Sequence, residues 1–334
     1  MVSRIVRTAV ILSLSATMAF AMNTLRFNVV EGDANEAFKS IIELDLADIE
    51  FTPKDIHPGV DKFYRQFYEP KLTDKGEPNQ KYDPNFVMNL DNLGFITIAS
   101  EPRMREILLK APQLGGFAPL NYLIYKKKSE NKTYVGFPTA EAMLAITKTT
   151  DPKVVKDFTA MIDDLAKVTD SGIGGEVVYR TTDKLQADTM MEFEIPFDRA
   201  GDIMDAKFNF MEKFEKLFEE NNYIIAGKRD FAEYYADNGM EFDKFDHYWV
   251  YSLCHFKFSY TIFNVGKNPE AGAFAPCSMY MYLEKGSNVL KVGMPNVTNW
   301  ISIANIKDPK MIEEIQNMDK KIVSLMKELG AVEK

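Results

Sequence analysis

The sequence predicts an α+β protein built from two tandem copies of one domain, each a mostly antiparallel sheet with helices on one face. Three observations predict this fold class. A chain of 334 residues suits two domains better than one core. Short glycine and proline landmarks recur along the chain at a fixed offset. Around them, strand-like runs form hairpins and lead into a helical pattern, an order that favours antiparallel pairing.

The repeat is clearest in the segment 115–119 (GGFAP), which reappears as 272–276 (GAFAP) at an offset of 157 residues (272 − 115). Two further pairs keep the same offset without a gap. They are 135–138 (VGFP) with 292–295 (VGMP), and 151–153 (DPK) with 308–310 (DPK). Chance rarely keeps such landmarks in phase, so the chain is predicted to contain one structural unit twice.

Each copy is predicted to end in a helix that begins at an Asp-Pro pair. Asp151 and Asp308 suit the N-cap, and the prolines after them suit the first helical position. Before each helix lie two strand-like runs, 122–125 with 133–137 and 279–283 with 289–294. Each pair is typical of a β-hairpin.

The remaining segments complete the domain plan. We expect a signal peptide at 1–21, a first domain at 22–172 and a second domain at 176–334. The first domain carries an irregular insertion near 51–84, with a short helix near Phe63 to Tyr68. The glycine-rich stretch 171–175 lacks a Gly-Lys-Ser signature, so it is interpreted as a linker rather than a phosphate loop.

The first 21 residues are typical of a secretory signal peptide. Arg4 and Arg7 precede an apolar run from Thr8 to Met18, and residues 19–21 (AFA) form a small-x-small cleavage pattern. A retained membrane anchor is the alternative, but spanning a bilayer takes about 20 apolar residues. We therefore expect cleavage after Ala21, a periplasmic or secreted protein, and no integral membrane segment afterwards.

The charge excludes one broad class of partner. The formal net charge is −9, and loss of Arg4 and Arg7 with the signal peptide would lower it to −11. So acidic a surface repels nucleic acid, which argues against a nucleic-acid-binding protein.

The second copy carries the landmarks of a known family. The segment 251–254 (YSLC), a short helix, 272–277 (GAFAPC), 292–295 (VGMP) and the helix at Asp308 follow one another in order. This pattern resembles the bacterial family called domain of unknown function 302, over roughly Thr189 to Gly330. The resemblance implies a TATA-binding-protein-like fold in each copy and no established activity. The first copy fits more loosely, with Ser100 and Leu120 where the two cysteines would stand.

Cys254 and Cys277 are the only cysteines, and both lie in the second copy. Three interpretations stay open. In an oxidising compartment they would form a disulfide. They could instead be two separate buried thiols, since cysteine packs well as a small apolar residue. Third, they could form a redox pair or, with His255, a copper or haem site. Met279 and Met281 on the strand after Cys277 would suit Cu(I), although ordinary strand packing explains them better.

The other chemistry-bearing residues point mainly to structure. Asp246 and His247 could be an acid–base pair, but neighbours on a strand point to opposite sides. No Gly-x-Ser-x-Gly, His-Glu-x-x-His or Walker loop occurs. Aromatic residues are abundant, and core packing is the simpler explanation. The alternative is an apolar groove on the open sheet face that holds a hydrophobic ligand or the other domain. The aromatic residues are Phe208, Phe210, Phe214, Phe218, Tyr248, Trp249, Tyr251, Phe256 and Phe258.

Two functional hypotheses follow. The first is an exported, soluble, non-catalytic binding protein with no cofactor, whose partner is a small hydrophobic ligand or an envelope protein. The second is a periplasmic thiol-redox protein, or a metal- or haem-binding protein, centred on Cys254 and Cys277.

Overall fold

The structure is a computed structural model that describes residues 21–334. The predicted signal peptide therefore lies outside the described residues, apart from Ala21. The strands are β1 (Met22–Glu31), β2 (Thr52–His57), β3 (Leu90–Ala99), β4 (Leu120–Lys127), β5 (Lys132–Pro138), β6 (Glu176–Thr182), β7 (Met190–Pro196), β8 (Tyr223–Asp230), β9 (Phe245–His255), β10 (Cys277–Glu284), β11 (Val289–Pro295) and β12 (Val332–Glu333).

Helices separate the strands in the same order in both halves. They are α1 (Asn35–Ser40), α2 (Leu46–Asp48), α3 (Val60–Tyr68), α4 (Glu101–Lys110), α5 (Ala140–Ile146), α6 (Pro152–Ile173), α7 (Ile203–Glu220), α8 (Phe231–Asp237), α9 (Phe256–Ser259), α10 (Asn299–Ile303) and α11 (Pro309–Glu328). Residues 41–45 and 260–265 form wider π-helical turns, and residues 112–117 and 269–274 form tighter 3₁₀ turns.

The strands form two antiparallel sheets with equivalent topology. The first has the order β2-β3-β4-β5-β1-β6, and the second has the order β8-β9-β10-β11-β7-β12 when read from the matching edge. The register repeats as well, since Leu123 faces Gly136 in one hairpin and Tyr280 faces Gly293 in the other. The two-domain α+β fold is confirmed, and the repeat extends to strands whose sequences have diverged.

The long helices begin where the Asp-Pro pairs predict. The Asp151 carboxylate accepts hydrogen bonds from the backbone N–H groups of Lys153 and Val154 at 2.9 and 3.0 Å. Asp308 caps α11 in the same way. In the second half α7 and α11 cover one face of the sheet. Tyr223 of β8 contacts both helices: its ring packs on Phe218 of α7, and its hydroxyl donates to the Met318 sulfur of α11 at 2.9 Å.

The other face of each sheet meets the opposite copy. The 3₁₀ turn 112–117 packs on β10 and β11, and the turn 269–274 packs on β4 and β5. A Cβ atom built on Gly115 would lie 2.0 Å from the Tyr248 hydroxyl oxygen, so only glycine permits this approach. The GGFAP and GAFAP segments are therefore the reciprocal contacts that join the copies.

Hydrogen bonds across this interface also come in equivalent pairs. The Asn121 amide donates to the Pro276 carbonyl at 3.0 Å, and the Ser278 hydroxyl donates to the Pro119 carbonyl at 3.3 Å. The same exchange joins the Thr24 hydroxyl to the Ile303 carbonyl and the Thr189 hydroxyl to the Ile146 carbonyl, at 3.0 and 2.6 Å. The copies pack as an internal dimer with approximate two-fold symmetry.

Two segments lie elsewhere than expected. Residues 176–182, placed in the second domain by the sequence pattern, form β6 on the edge of the first sheet. Gly174 and Gly175 have φ angles of 68° and 76°, which turn the chain back along β1. Residues 52–68, placed in the insertion, are β2 and α3 of the repeat. The extra segment of the first copy is therefore residues 69–89, called the excursion below.

Within residues 21–334, no helix combines the length and the apolar character needed to cross a membrane.

Candidate functional site

The two cysteines lie at adjoining strand ends but on opposite faces of the second sheet. Cys277 opens β10 directly opposite Leu253, and Cys254 is the next residue of β9. Because side chains alternate along a strand, Cys277 shares the helix-covered face with Leu253, whereas Cys254 points to the face that meets the first copy. The candidate disulfide is therefore absent, and both cysteines are free thiols.

The surroundings of the thiols keep them protonated. Burial raises the pKa of the Cys254 thiol to about 11, and a hydrogen bond with Ser259 only partly opposes this. Burial also raises the pKa of Cys277, and nearby Cys254 and Asp319 add to the effect. A thiol attacks or binds a metal as the thiolate, so these environments disfavour nucleophilic and redox chemistry.

The first copy has Ala99, not Ser100, at the position of Cys254. Ile98 faces Leu120 in the first sheet, as Leu253 faces Cys277 in the second, so the next residue along each strand is equivalent. Ser100 therefore corresponds to His255, and both begin a helix. The match of Ser100 with Cys254 that the sequence predicts is therefore wrong by one residue. The copies differ in length between this strand and the next, so the fixed offset does not extend to this position.

His255 is a helix-capping residue with a neutral ring. Its Nδ1 accepts a hydrogen bond from the Phe258 backbone N–H at 3.3 Å. Burial, reinforced by the charges of Lys321 and Lys257, lowers the pKa of His255 to about 4. The ring is therefore uncharged at neutral pH, with its hydrogen on Nε2 because Nδ1 is the acceptor.

The metal hypothesis finds no cluster of ligands. Within residues 21–334, no group of three or more His, Cys, Asp or Glu side chains is arranged to hold an ion. Met279 and Met281 are fully buried in the core.

Asp246 and His247 point away from each other, as strand alternation requires. The Asp246 carboxylate pairs with Arg199 at 2.6 Å, while His247 Nε2 lies 3.3 Å from the Ile203 carbonyl beneath α7. Burial and the nearby Lys207 ammonium lower the pKa of His247. The pair is not an acid–base dyad.

The open sheet face is not where a groove forms. Tyr248 on that face is fully buried, and its hydroxyl donates to the Pro112 carbonyl of the first copy at 2.5 Å. Phe214 stacks on Tyr251 with ring centroids 4.8 Å apart, inside the core. Most of the aromatic excess therefore fills the core and the interface, and the open sheet face holds the other copy rather than a small ligand.

A groove does form beside that interface, where the excursion crosses the second copy. Its volume is about 670 Å³. The side chains that line it come from α3 and the excursion on one side, and from β8, α9 and the following turn on the other. They are Tyr68, Gln80, Lys81, Tyr82, Asp83, Pro84, Asn222, Tyr223, Ile224, His255, Phe256, Lys257, Tyr260, Thr261 and Val265.

Aromatic rings form the floor of this groove. Tyr68 stacks on Tyr260 with centroids 4.4 Å apart and on Phe256 with centroids 6.1 Å apart. Ile224 and Val265 stand on its walls and are each 48% exposed. Solvent-exposed aliphatic side chains above a stacked aromatic floor form an apolar concave surface of the size that small ligands use.

The wall supplied by the excursion is held by one buried amide. Asn264 is fully buried, and its Oδ1 accepts from the Asn89 backbone N–H at 2.8 Å. Its Nδ2 donates to the Val87 carbonyl at 2.7 Å, and its own carbonyl accepts from the Asn89 side chain at 2.8 Å. The Tyr260 hydroxyl donates to Asp83 at 3.3 Å. The last part of the excursion, residues 83–89, is thus tied to the second copy.

Of the predicted aromatic residues, only Phe256 lines this groove. Tyr68, Tyr82 and Tyr260 were missed because the excursion and the turn after α9 have no regular pattern. The available signal was composition: tyrosine, phenylalanine and proline recur in a segment otherwise rich in charge.

Comparison with known proteins identifies the second copy alone. Residues 208–329 match the family model described as Domain of unknown function DUF302. A crystal structure of an uncharacterized conserved protein DUF302 from Bacillus stearothermophilus is 18% identical, with a TM-score of 0.33, and the match covers 41% of this chain and 95% of that chain. No curated protein matches the chain.

Proposed function

Residues 208–329 match a family of unknown function, and we propose from the groove itself that this chain is an exported, non-catalytic binding protein for a small hydrophobic ligand. The first copy supplies the excursion that turns the surface of this domain into a groove.

The observation that carries the proposal is the apolar lining of the groove. Ile224 and Val265 are each about half exposed beside the stacked rings of Tyr68 and Tyr260. Covering such side chains with a ligand contributes roughly 25 cal/mol per Å² of apolar surface removed from water. A volume of about 670 Å³ falls within the range of small-molecule sites.

The thiol environments support binding rather than catalysis. Cys254 and Cys277 have raised pKa values, and His255 is neutral and already caps a helix. None of these groups is prepared to act as a nucleophile at neutral pH.

The dye N-phenyl-1-naphthylamine tests the proposal, since its fluorescence rises in an apolar site. We expect saturable binding of one dye per chain. Ile224→Glu places a carboxylate on the groove wall and should weaken binding roughly tenfold or more, because the ligand would then desolvate a charge.

Ile56→Glu is the matched control. Ile56 is 57% exposed and lies on β2, the strand of the first copy that is equivalent to β8. Binding by this variant should equal that of the wild type. Equal loss in both variants, or none in either, would contradict the proposed location.

Export is tested separately from binding. Expression of the full chain in a bacterial host with an envelope should yield a periplasmic protein whose mature N-terminus is Met22, read by intact mass. A protein retained in the cytoplasm with residues 1–21 intact would contradict this part of the proposal.

A further inference from the structure

One end of the groove is lined by positive charge. Lys257 lies two residues after His255 in α9, and Lys81 reaches the groove from the excursion. Behind them, the Lys321 ammonium of α11 lies 5.6 Å from the Tyr223 ring and donates to the Asn221 carbonyl at 2.9 Å. Lys257 and Lys321 both lie close enough to His255 for their charges to act on its ring.

These charges are not neutralised by the protein. No carboxylate forms an ion pair with Lys81, Lys257 or Lys321 in the part of the chain that the structure describes. Asp83 is the one acidic side chain in the lining, and it already accepts the Tyr260 hydroxyl. Lysines without a carboxylate partner, on a chain with a formal charge of −9, favour an anion at this end.

His255 adds a directed hydrogen-bond donor. Its Nδ1 is occupied by the Phe258 N–H, so Nε2 carries the ring hydrogen and has no acceptor among the described residues. Burial, together with the charges of Lys321 and Lys257, lowers the pKa of His255 and keeps the ring neutral. A neutral imidazole N–H beside ammonium groups is a fitting partner for one oxygen of an acid group.

We propose that the groove selects an amphiphile with one anionic group, a carboxylate or a sulfonate. The body of the ligand lies on Tyr68 and Tyr260, and its acid group lies against Lys257 and the His255 Nε2–H, with the charge of Lys321 behind them. This inference rests on the proposed function, because it specifies the ligand class for the same groove.

Two dyes that share one ring system separate the inference from the proposed function. N-phenyl-1-naphthylamine has no charge, and 1-anilinonaphthalene-8-sulfonate has the same rings with a sulfonate. The sulfonate dye should bind roughly tenfold more tightly at low salt, and the difference should shrink as salt screens the lysines. If the neutral dye fails to bind, the proposed function is wrong. If both dyes bind equally at every salt concentration, only the inference is wrong.

Lys257→Met tests the site of the anion. It should weaken binding of the sulfonate dye roughly fivefold relative to binding of the neutral dye, because the charge is lost while the apolar stem is retained. Lys285→Met is the control, since Lys285 is exposed in the turn between β10 and β11, at the far end of β10 from the groove. Equal effects of the two variants on the sulfonate dye would overturn the proposed anion position, whereas an effect confined to Lys257→Met would support it.

Discussion

Asn264→Ala should loosen the groove without unfolding the protein. The wild-type side chain is fully buried and makes two hydrogen bonds, to the Asn89 N–H and the Val87 carbonyl. Each bond contributes about 0.5–1.5 kcal/mol net, so their loss costs about 1–3 kcal/mol. The void left by the removed amide adds about 1 kcal/mol. The sum is a free-energy cost of about 2–4 kcal/mol.

The substitution should destabilise the contacts between the excursion and the second copy rather than the sheets. Native-state hydrogen exchange should therefore accelerate at the amides of residues 87–89, while those within α6 keep their protection. Affinity for the neutral dye should fall, because the excursion is one wall of the groove. Urea unfolding monitored by circular dichroism gives the global part of the cost.

Asn268→Ala is the matched control for this prediction. Asn268 is near the same turn, but its side chain bonds only to the Gly266 carbonyl, two residues away. Its substitution should leave both exchange at 87–89 and dye binding unchanged. If Asn264→Ala showed the same hydrogen exchange at residues 87–89 and the same dye affinity as the wild type, the idea that the Asn264 amide holds the excursion in place would be refuted.

Three further predictions concern the thiols, the interface and pH. Cys254 and Cys277 should react with an aromatic disulfide reagent far more slowly in the native protein than in urea, where two thiols per chain should be counted. A lower count in urea that rises to two after treatment with a reductant would instead reveal a disulfide. Gly115→Ala should destabilise the protein more than Gly272→Ala. A Cβ atom built on Gly115 lies 2.0 Å from a tyrosine oxygen, whereas one built on Gly272 lies 3.2 Å from a leucine methyl. Equal unfolding midpoints for the two variants would contradict the reciprocal packing. His255→Asn keeps an N-cap oxygen but removes a ring whose folded pKa, about 4, lies below its ordinary value of 6.5. Between pH 6.5 and 4 the unfolded chain binds a proton that the folded chain does not, so the free energy of unfolding of the wild type should fall by roughly 1–2 kcal/mol more than that of the variant. Parallel curves of stability against pH would exclude this contribution.

The regular elements could be predicted because their signals are local. An Asp-Pro pair caps a helix through its own carboxylate, and the hairpins 122–137 and 279–294 depend on adjacent alternating runs. The repeat itself could be found because the reciprocal interface needs the same small residues at 115–119 and 272–276. At Gly115 only glycine tolerates the tyrosine oxygen at 2.0 Å, and at Gly272 a small residue suffices because the nearest atom is a leucine methyl at 3.2 Å.

The groove could not be predicted because it depends on contacts between distant residues. β2 contains Pro53 and charged side chains and lies on a sheet edge, so it lacks the alternation of an inner strand and was mistaken for insertion. The excursion has no periodicity, and its position depends on Asn89 meeting Asn264. The opposite faces of Cys254 and Cys277 likewise follow from strand register, which their separation in the sequence does not determine.

The most direct test of the central claim is a crystal structure of the mature protein with N-phenyl-1-naphthylamine. The account predicts electron density for the dye over Tyr68 and Tyr260, between Ile224 and Val265. Density for the dye at another surface, with the groove holding only water at saturating dye, would contradict it.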